Sequence, residues 1–411
     1  MTMMDGAEIS VGFLPLLDSA ILIAAAEKGF ARDERIEMKL VRETSWANIR
    51  DRVAVGHFQA AHMLAPMPIA SNLGLSPLSV PMVAPMALGL GGNAVTVSVP
   101  LYEEMAAHGM TGDLDPADAG RALKAVIAAR GGAERLRIAV VHPFSGHNYE
   151  LRYWLAACGI DPERDAEIIV VPPPLMPDAL ASGNIDMCCV GEPWNSVAVS
   201  QGGGRIITVK ARIWRNSPEK VLGVTARWAD ANPDVLDALL RALYRAAEWC
   251  GRSENAEELA AVLSRPHWLD VDAKLLLGCL TGALATRPDR IVQVDDFFVR
   301  HEKAATFPWQ SHALWFYSQM VRWGQSRHSP QNAEIARDSY RPDIYRRALK
   351  PLPTPLPGAN LKVEGALSRP QHVGASKAGL VLGPDGFFDG RIFDPDAIDA
   401  YIAGQNQHRG K

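Results

Sequence analysis

Ile9–Gly29, ISVGFLPLLDSAILIAAAEKG, decides the fold class. Ile9–Leu16 reads as a strand, and Ser19–Gly29 reads as a helix capped by Asp18 or Ser19 and stopped by Gly29. The apolar run inside that helix is far shorter than the roughly 20 residues a membrane span needs. Outward from this unit the alternation continues. Glu37–Val41 (EMKLV) is a strand, Ser45–Val55 a helix, and Gln59–Leu64 (QAAHML) a strand running into the proline-bounded turn Ala65-Pro66-Met67-Pro68.

A second stretch repeats the first. Arg137–Val141 (RIAVV) is a strand, His147–Cys158 a helix ended by Gly159, Glu167–Val171 (EIIVV) a strand, and Asp186–Val190 (DMCCV) a strand opening into Gly191-Glu192-Pro193-Trp194. Leu14 and Val141 are 127 residues apart, and so are Ala61 and Cys188. The pattern predicts an α/β protein with largely parallel sheets in two similar lobes. Ligands of such sheets sit where strands end and helices begin. The loops Pro15–Asp18, Glu43–Trp46, His142–His147 and Gly191–Asn195 would then face one cleft for a small ligand.

The chain has 411 residues, enough for two or three domains with cores of their own. Its 42 Lys and Arg against 46 Asp and Glu give a net charge of -4, which provides no general attraction for nucleic acid or an anionic membrane. Any anion must be held locally. Cys158, Cys188, Cys189, Cys250 and Cys279 are odd in number and lie mostly in apolar runs, the pattern of buried thiols in a reducing compartment. Met1–Ser10 lacks Lys and Arg and contains Asp5 and Glu8, unlike a secretory leader, so a cytoplasmic location is expected.

Catalytic patterns are missing: there is no phosphate-binding GxxxxGK[ST] loop, GxSxG elbow, HExxH pair or GxGxxG run after a strand. The five-residue spacing of His142 and His147 does not make a helical metal pair. No catalytic residue, metal or cofactor is expected. Farther on, Asn232-Pro233-Asp234 starts a helix whose Leu236, Leu239, Leu240 and Leu243 share one face. The four-proline run LKPLPTPLPG (349–358) reads as an extended connector, and FFDGRIFDP (Phe387–Pro395) as a docked tail.

Several ordered motifs carry a resemblance: GFLPLLDSAILIAAAEKGF (Gly12–Phe30), TSW (Thr44–Trp46), AAHMLAPMP (Ala60–Pro68), SGHNYELRYWLAACGIDP (Ser145–Pro162), CVGEPWN (Cys189–Asn195) and SPEKVL (Ser217–Leu222). With FPWQSHALWFYSQMVRWG (Phe307–Gly324) and the terminal phenylalanine run, nearly the whole chain is similar to the nitrate and bicarbonate solute-binding proteins of bacterial ABC transporters. The resemblance implies a two-lobed periplasmic-binding-protein fold of type II with the ligand between lobes. Residues 1–92 would form the first part of lobe 1, 93–223 lobe 2, 224–347 the mainly helical remainder of lobe 1, and 348–411 the proline-rich connector and docked tail.

Position by position, the family's nitrate pocket resembles Trp46, His147, Val190 with Gly191, and Lys220 here. One lysine, backbone N–H groups and an imidazole suit a planar, weakly hydrated monoanion without a metal. Where nitrate binders resemble N-G-Q-G, this chain has Gly91-Gly92-Asn93-Ala94, so Asn93 stands in for a Gln one methylene longer. Bicarbonate binders resemble a carboxylate site for Ca²⁺ at the lysine position, and Lys220 would repel that cation. Glu192 is expected to be a cap or network partner, since a carboxylate repels the anion. Together with the N-terminal reading, the resemblance implies a cytoplasmic nitrate or nitrite sensor of the NasS type. Ligand-free, it would sequester an ANTAR-class RNA-binding antiterminator, with no direct contact to nucleic acid or membrane. The alternatives are the nitrate-binding component of an ABC transporter, and an enzyme of the precursor-synthase type on the same fold.

Overall fold

The structure, a computed structural model, describes residues 6–131 and 135–406. The N-terminal reading therefore lies partly outside the described residues, at Met1–Asp5. In chain order the strands are β1 (Ala7–Phe13), β2 (Ile36–Arg42), β3 (Ala60–Leu64), β4 (Met82–Ala87), β5 (Leu90–Gly91), β6 (Asn93–Ser98), β7 (Leu136–Val140), β8 (Ala166–Val170), β9 (Met187–Gly191), β10 (Gly204–Val209) and β11 (Lys220–Thr225). They build two five-stranded sheets, ordered β2-β1-β3-β11-β4 and β10-β6-β9-β7-β8. Read from the β8 edge, the second sheet has the order of the first. β1 pairs in parallel with β2 and β3, as β7 does with β8 and β9. The offset read from the sequence survives in space, since β3 shifted by 127 residues is β9. This is the two-lobed α/β architecture expected.

In each sheet one strand runs against the other four: β11 in the first and β6 in the second. These are the strands by which the chain enters from the other lobe. β6 begins at Asn93. Its counterpart β11 begins at Lys220, so the boundary expected at 223 falls inside a first-sheet strand, and the crossing lies between Val209 and Lys220.

Three other expectations change. Ala65–Pro68 does not form a turn; Pro66–Asn72 is a helix, because prolines in a first turn lack only N–H groups that have no helical partner. Asp18 does not cap the helix Ala20–Glu27, which has no side-chain cap; its carboxylate is used elsewhere. Residues 224–347 do not all pack on the first sheet, since the hairpin β12 (Ala283–Arg287) and β13 (Arg290–Gln293) lies against β10 and the helix Trp194–Ser200. The short β14 (Phe298–Val299) pairs with β5.

The helix Pro233–Gly251 buries Leu236, Leu239, Leu240 and Leu243 against the helices Ala20–Glu27 and Pro342–Leu349. The connector 349–358 keeps Thr354 and Leu356 buried. The terminal tail is docked and has a task. Phe387 stacks on Trp214 at 4.5 Å, Arg215 N donates to Gly386 O, and Phe388 N donates to Ile213 O. The tail thus holds the segment between β10 and β11 from outside. Truncating a buried aromatic costs about 3–5 kcal/mol. Phe387→Ala should therefore destabilise the protein by about that much in denaturant unfolding, and a loss under about 0.5 kcal/mol, as at an exposed site, would refute docking.

A candidate anion site between the lobes

The site is built around Lys220, the first residue of β11, whose side chain is 0% exposed. A buried ammonium needs partners. Asp18 Oδ2 and Glu219 Oε1 each lie 2.7 Å from Lys220 Nζ. Asp18 comes from the loop after β1, and its Oδ1 lies 2.9 Å from Nε2 of His62, which sits on β3 opposite Leu222. Trp46 opens the helix Trp46–Ala54, with Ser45 accepting from Asn48 N as the cap. That start puts the indole 5.4 Å from Lys220 Nζ and edge-on to His62 at 5.3 Å.

The second lobe supplies the facing wall. Asn93 opens β6 opposite Gly191 at the end of β9. A Cβ on Gly191 would lie 3.2 Å from Asn93 Oδ1 and 3.8 Å from Asp18 Oδ2, so the absence of a side chain lets the walls meet. His147 lies in the first turn of the helix Gly146–Ala157, capped by Ser145. Its Nδ1 lies 3.1 Å from Glu219 Oε1, an oblique contact. Lys210, at the end of β10, grips the other Glu219 oxygen and also Glu150 Oε1 at 2.8 Å and Pro218 O at 2.6 Å. Glu219 is therefore shared between Lys220, Lys210 and His147. Direct bonds between lobes complete the closure: Leu17 N donates to Glu192 O at 2.7 Å, and Trp194 Nε1 to Pro15 O at 3.0 Å.

Burial alone would raise the Asp18 carboxyl, but Lys220 and His62 overcome it and hold it at about 2. Burial likewise opposes ionisation of Glu219, yet His147, Lys210 and Lys220 keep it well below the usual carboxylate range. Glu150 goes the other way. Burial, reinforced by Glu219, pushes it up to about 8 despite Lys210. Burial lowers both His62 and His147, the latter to about 3, although Asp18 and Glu219 respectively pull the other way. At neutral pH two lysines face two carboxylates, with both imidazoles and Glu150 neutral.

Trp46 Nε1, both ring nitrogens of His62 and of His147, and both amide atoms of Asn93 are buried without a well-formed hydrogen bond among the described residues. Each such group costs about 1–3 kcal/mol if nothing pairs it. Their concentration around one lysine is the signature of a polar ligand site. The structure thus gathers Trp46, Asn93, His147, Gly191 and Lys220. Val190 precedes Gly191 in β9 opposite Ala94, and its carbonyl accepts from Asn195 Nδ2. Glu192 caps the helix Trp194–Ser200 through Ser196 N at 3.1 Å. Sequence reasoning missed Asp18, His62, Glu219, Lys210 and Glu150 as members of the network. Among the described residues no group of three His, Cys, Asp or Glu could hold a metal ion.

A model of the NMT1-like family matches residues 4–264, more than half of the chain. The chain belongs to the NMT1-like family. It is 33% identical over 406 residues to the nitrate/nitrite binding protein NrtA of Synechococcus elongatus, covering 96% of this chain and 85% of that one. It is 32% identical over 409 residues to the bicarbonate transport ATP-binding protein CmpC of Synechocystis, covering 99% of this chain and 56% of that longer protein. The crystal structure of the periplasmic nitrate-binding protein NrtA from Synechocystis superposes with a TM-score of 0.85 at 28% identity, covering 98% of this chain and 99% of that one. The similarity of this NMT1-like chain is thus to solute-binding proteins rather than enzymes.

Glu150 generates a pH test. Its folded pKa is raised to about 8 from an ordinary 4.5, so between those values the folded state holds a proton that the unfolded chain has released. Stability contributed by Glu150 is full below about pH 4.5 and is lost as pH rises towards 8. Glu150→Gln removes this loss. Its unfolding midpoint should gain on the wild type steadily from pH 5 to 8, whereas a constant difference would show that Glu150 is ionised throughout.

Proposed function

We propose that this NMT1-like protein binds nitrate or nitrite between its lobes and serves as the solute-binding component of an ABC transporter. The observation that carries the ligand is the cluster of unpartnered buried polar groups of Trp46, Asn93 and His147 around the fully buried Lys220. A small planar monoanion offers three or fewer oxygens to such a set, and charge-assisted bonds to a buried ammonium are the strong ones. The names of the NrtA relatives support the same ligand. For bicarbonate, the CmpC relatives are the counterweight. Against it stands Lys220, whose buried ammonium would repel the Ca²⁺ that the resemblance gives to bicarbonate binders at this position.

Of the three readings expected from the sequence, the relatives support transport best, because their names are those of binding and import components. The cytoplasmic sensor with an antiterminator partner is the second role to be tested. No helix among the described residues is long and apolar enough to cross a membrane.

Calorimetry with nitrate, nitrite and bicarbonate tests the ligand. The wild type should bind nitrate or nitrite, and Lys220→Met should lose at least about 2 kcal/mol, the scale of a charge-assisted contact with its partners left unpaired. Unchanged binding in the variant would remove Lys220 from the site. Pull-down from the native host with and without nitrate separates the roles: recovery of membrane permease subunits supports transport, and an RNA-binding protein released by nitrate supports the sensor.

A further inference from the structure

His147 poses a donor problem. Its Nδ1 lies 3.1 Å from Glu219 Oε1, and an ionised carboxylate only accepts hydrogen bonds. Two lone pairs at that distance repel, so the ring hydrogen belongs on Nδ1. A neutral imidazole has only one such hydrogen. Both ring nitrogens are buried without a well-formed hydrogen bond; with the hydrogen placed on Nδ1 by its close contact to Glu219, Nε2 presents a lone pair. A lone pair cannot hold an anion's oxygen; only the imidazolium can donate there while keeping its Nδ1 hydrogen towards Glu219.

The charges facing His147 lead to the same requirement. Glu219 and Lys220 approach from the start of β11, Lys210 from the end of β10, Asp18 from the loop after β1, and Glu150 lies one turn along its own helix. With Glu150 holding its proton, the two lysines and two carboxylates sum to zero. A monoanion added to this dry site leaves one negative charge uncompensated, and uncompensated buried charge is costly.

We infer that the site takes up its anion together with one proton, transferred from the solvent buffer to His147 Nε2, with Glu219 as the positioning residue that fixes the ring. This rests on the nitrate reading above. No bond within the anion forms or breaks; the buffer acid loses a proton and the imidazole gains it. Within the protein alone, burial keeps His147 neutral down to about pH 3, so at neutral pH the proton must arrive with the anion.

Calorimetry of nitrate binding at pH 7.5 in PIPES, MOPS and Tris tests this, because the slope of binding enthalpy against buffer ionisation enthalpy counts protons exchanged. The expected result is uptake of about one proton, with the Kd for nitrate rising about tenfold per pH unit between 6 and 8. His147→Gln keeps an amide donor that does not titrate, and its uptake should fall towards zero while weaker binding persists. Should that variant fail to bind or fold, the wild-type series still decides. Binding with zero slope and no pH dependence overturns proton coupling, as does undiminished uptake in His147→Gln. Absence of nitrate binding in every buffer overturns the nitrate reading itself, and this inference with it.

Discussion

A lysine ammonium sealed from water is the constraint on which the site depends. Lys220 reaches no solvent, and a buried charge persists only where opposite charge and hydrogen bonds surround it. That need draws in Asp18 from the loop after β1 and Glu219, the residue before Lys220 in sequence. Asp18 is then steadied by His62, and Glu219 by Lys210 and His147 from the second lobe. Removing one member of such a buried pairing costs about 3–5 kcal/mol, because a partner is left charged and dry. Lobe closure and construction of the site are therefore one network.

The network also sets the class of ligand. Its fixed charges cancel, so it has no surplus positive field for a dianion. What it offers is a set of unpartnered polar groups and one ammonium, suited to an anion with diffuse charge and a small dehydration cost. The neighbouring carboxylates make Lys220 a local, directional donor rather than a general anion attractor, consistent with a chain whose net charge is -4.

Much of this was legible in the sequence. The repeat at an offset of 127 residues follows from apolar strand patterns, and it predicted two similar lobes, which the structure shows to share one strand order. Trp46, Asn93, His147, Gly191 and Lys220 were reached only through the family resemblance of the motifs that carry them, and the structure places them near one another at strand and helix ends. The charged network was not legible. Asp18 sits at a helix start, where capping is its ordinary role, and His62 in QAAHML looks like any core histidine. Their partners lie some 200 and 44 residues away, on elements that only the sheet order brings together. A signal existed: ionisable residues in apolar runs, such as His62, are seldom buried unpaired. The reversed strands β6 and β11 were also hidden, since strand direction depends on where the chain crosses between lobes.

The most direct test of the central claim is a crystal structure of the protein with nitrate. Planar density is expected between the lobes, with oxygens within about 3 Å of Lys220 Nζ and hydrogen-bonded to Trp46 Nε1 and His147 Nε2. Nitrate found elsewhere, with Lys220 still enclosed by Asp18 and Glu219 and the donors of Trp46 and His147 unpaired, would contradict it.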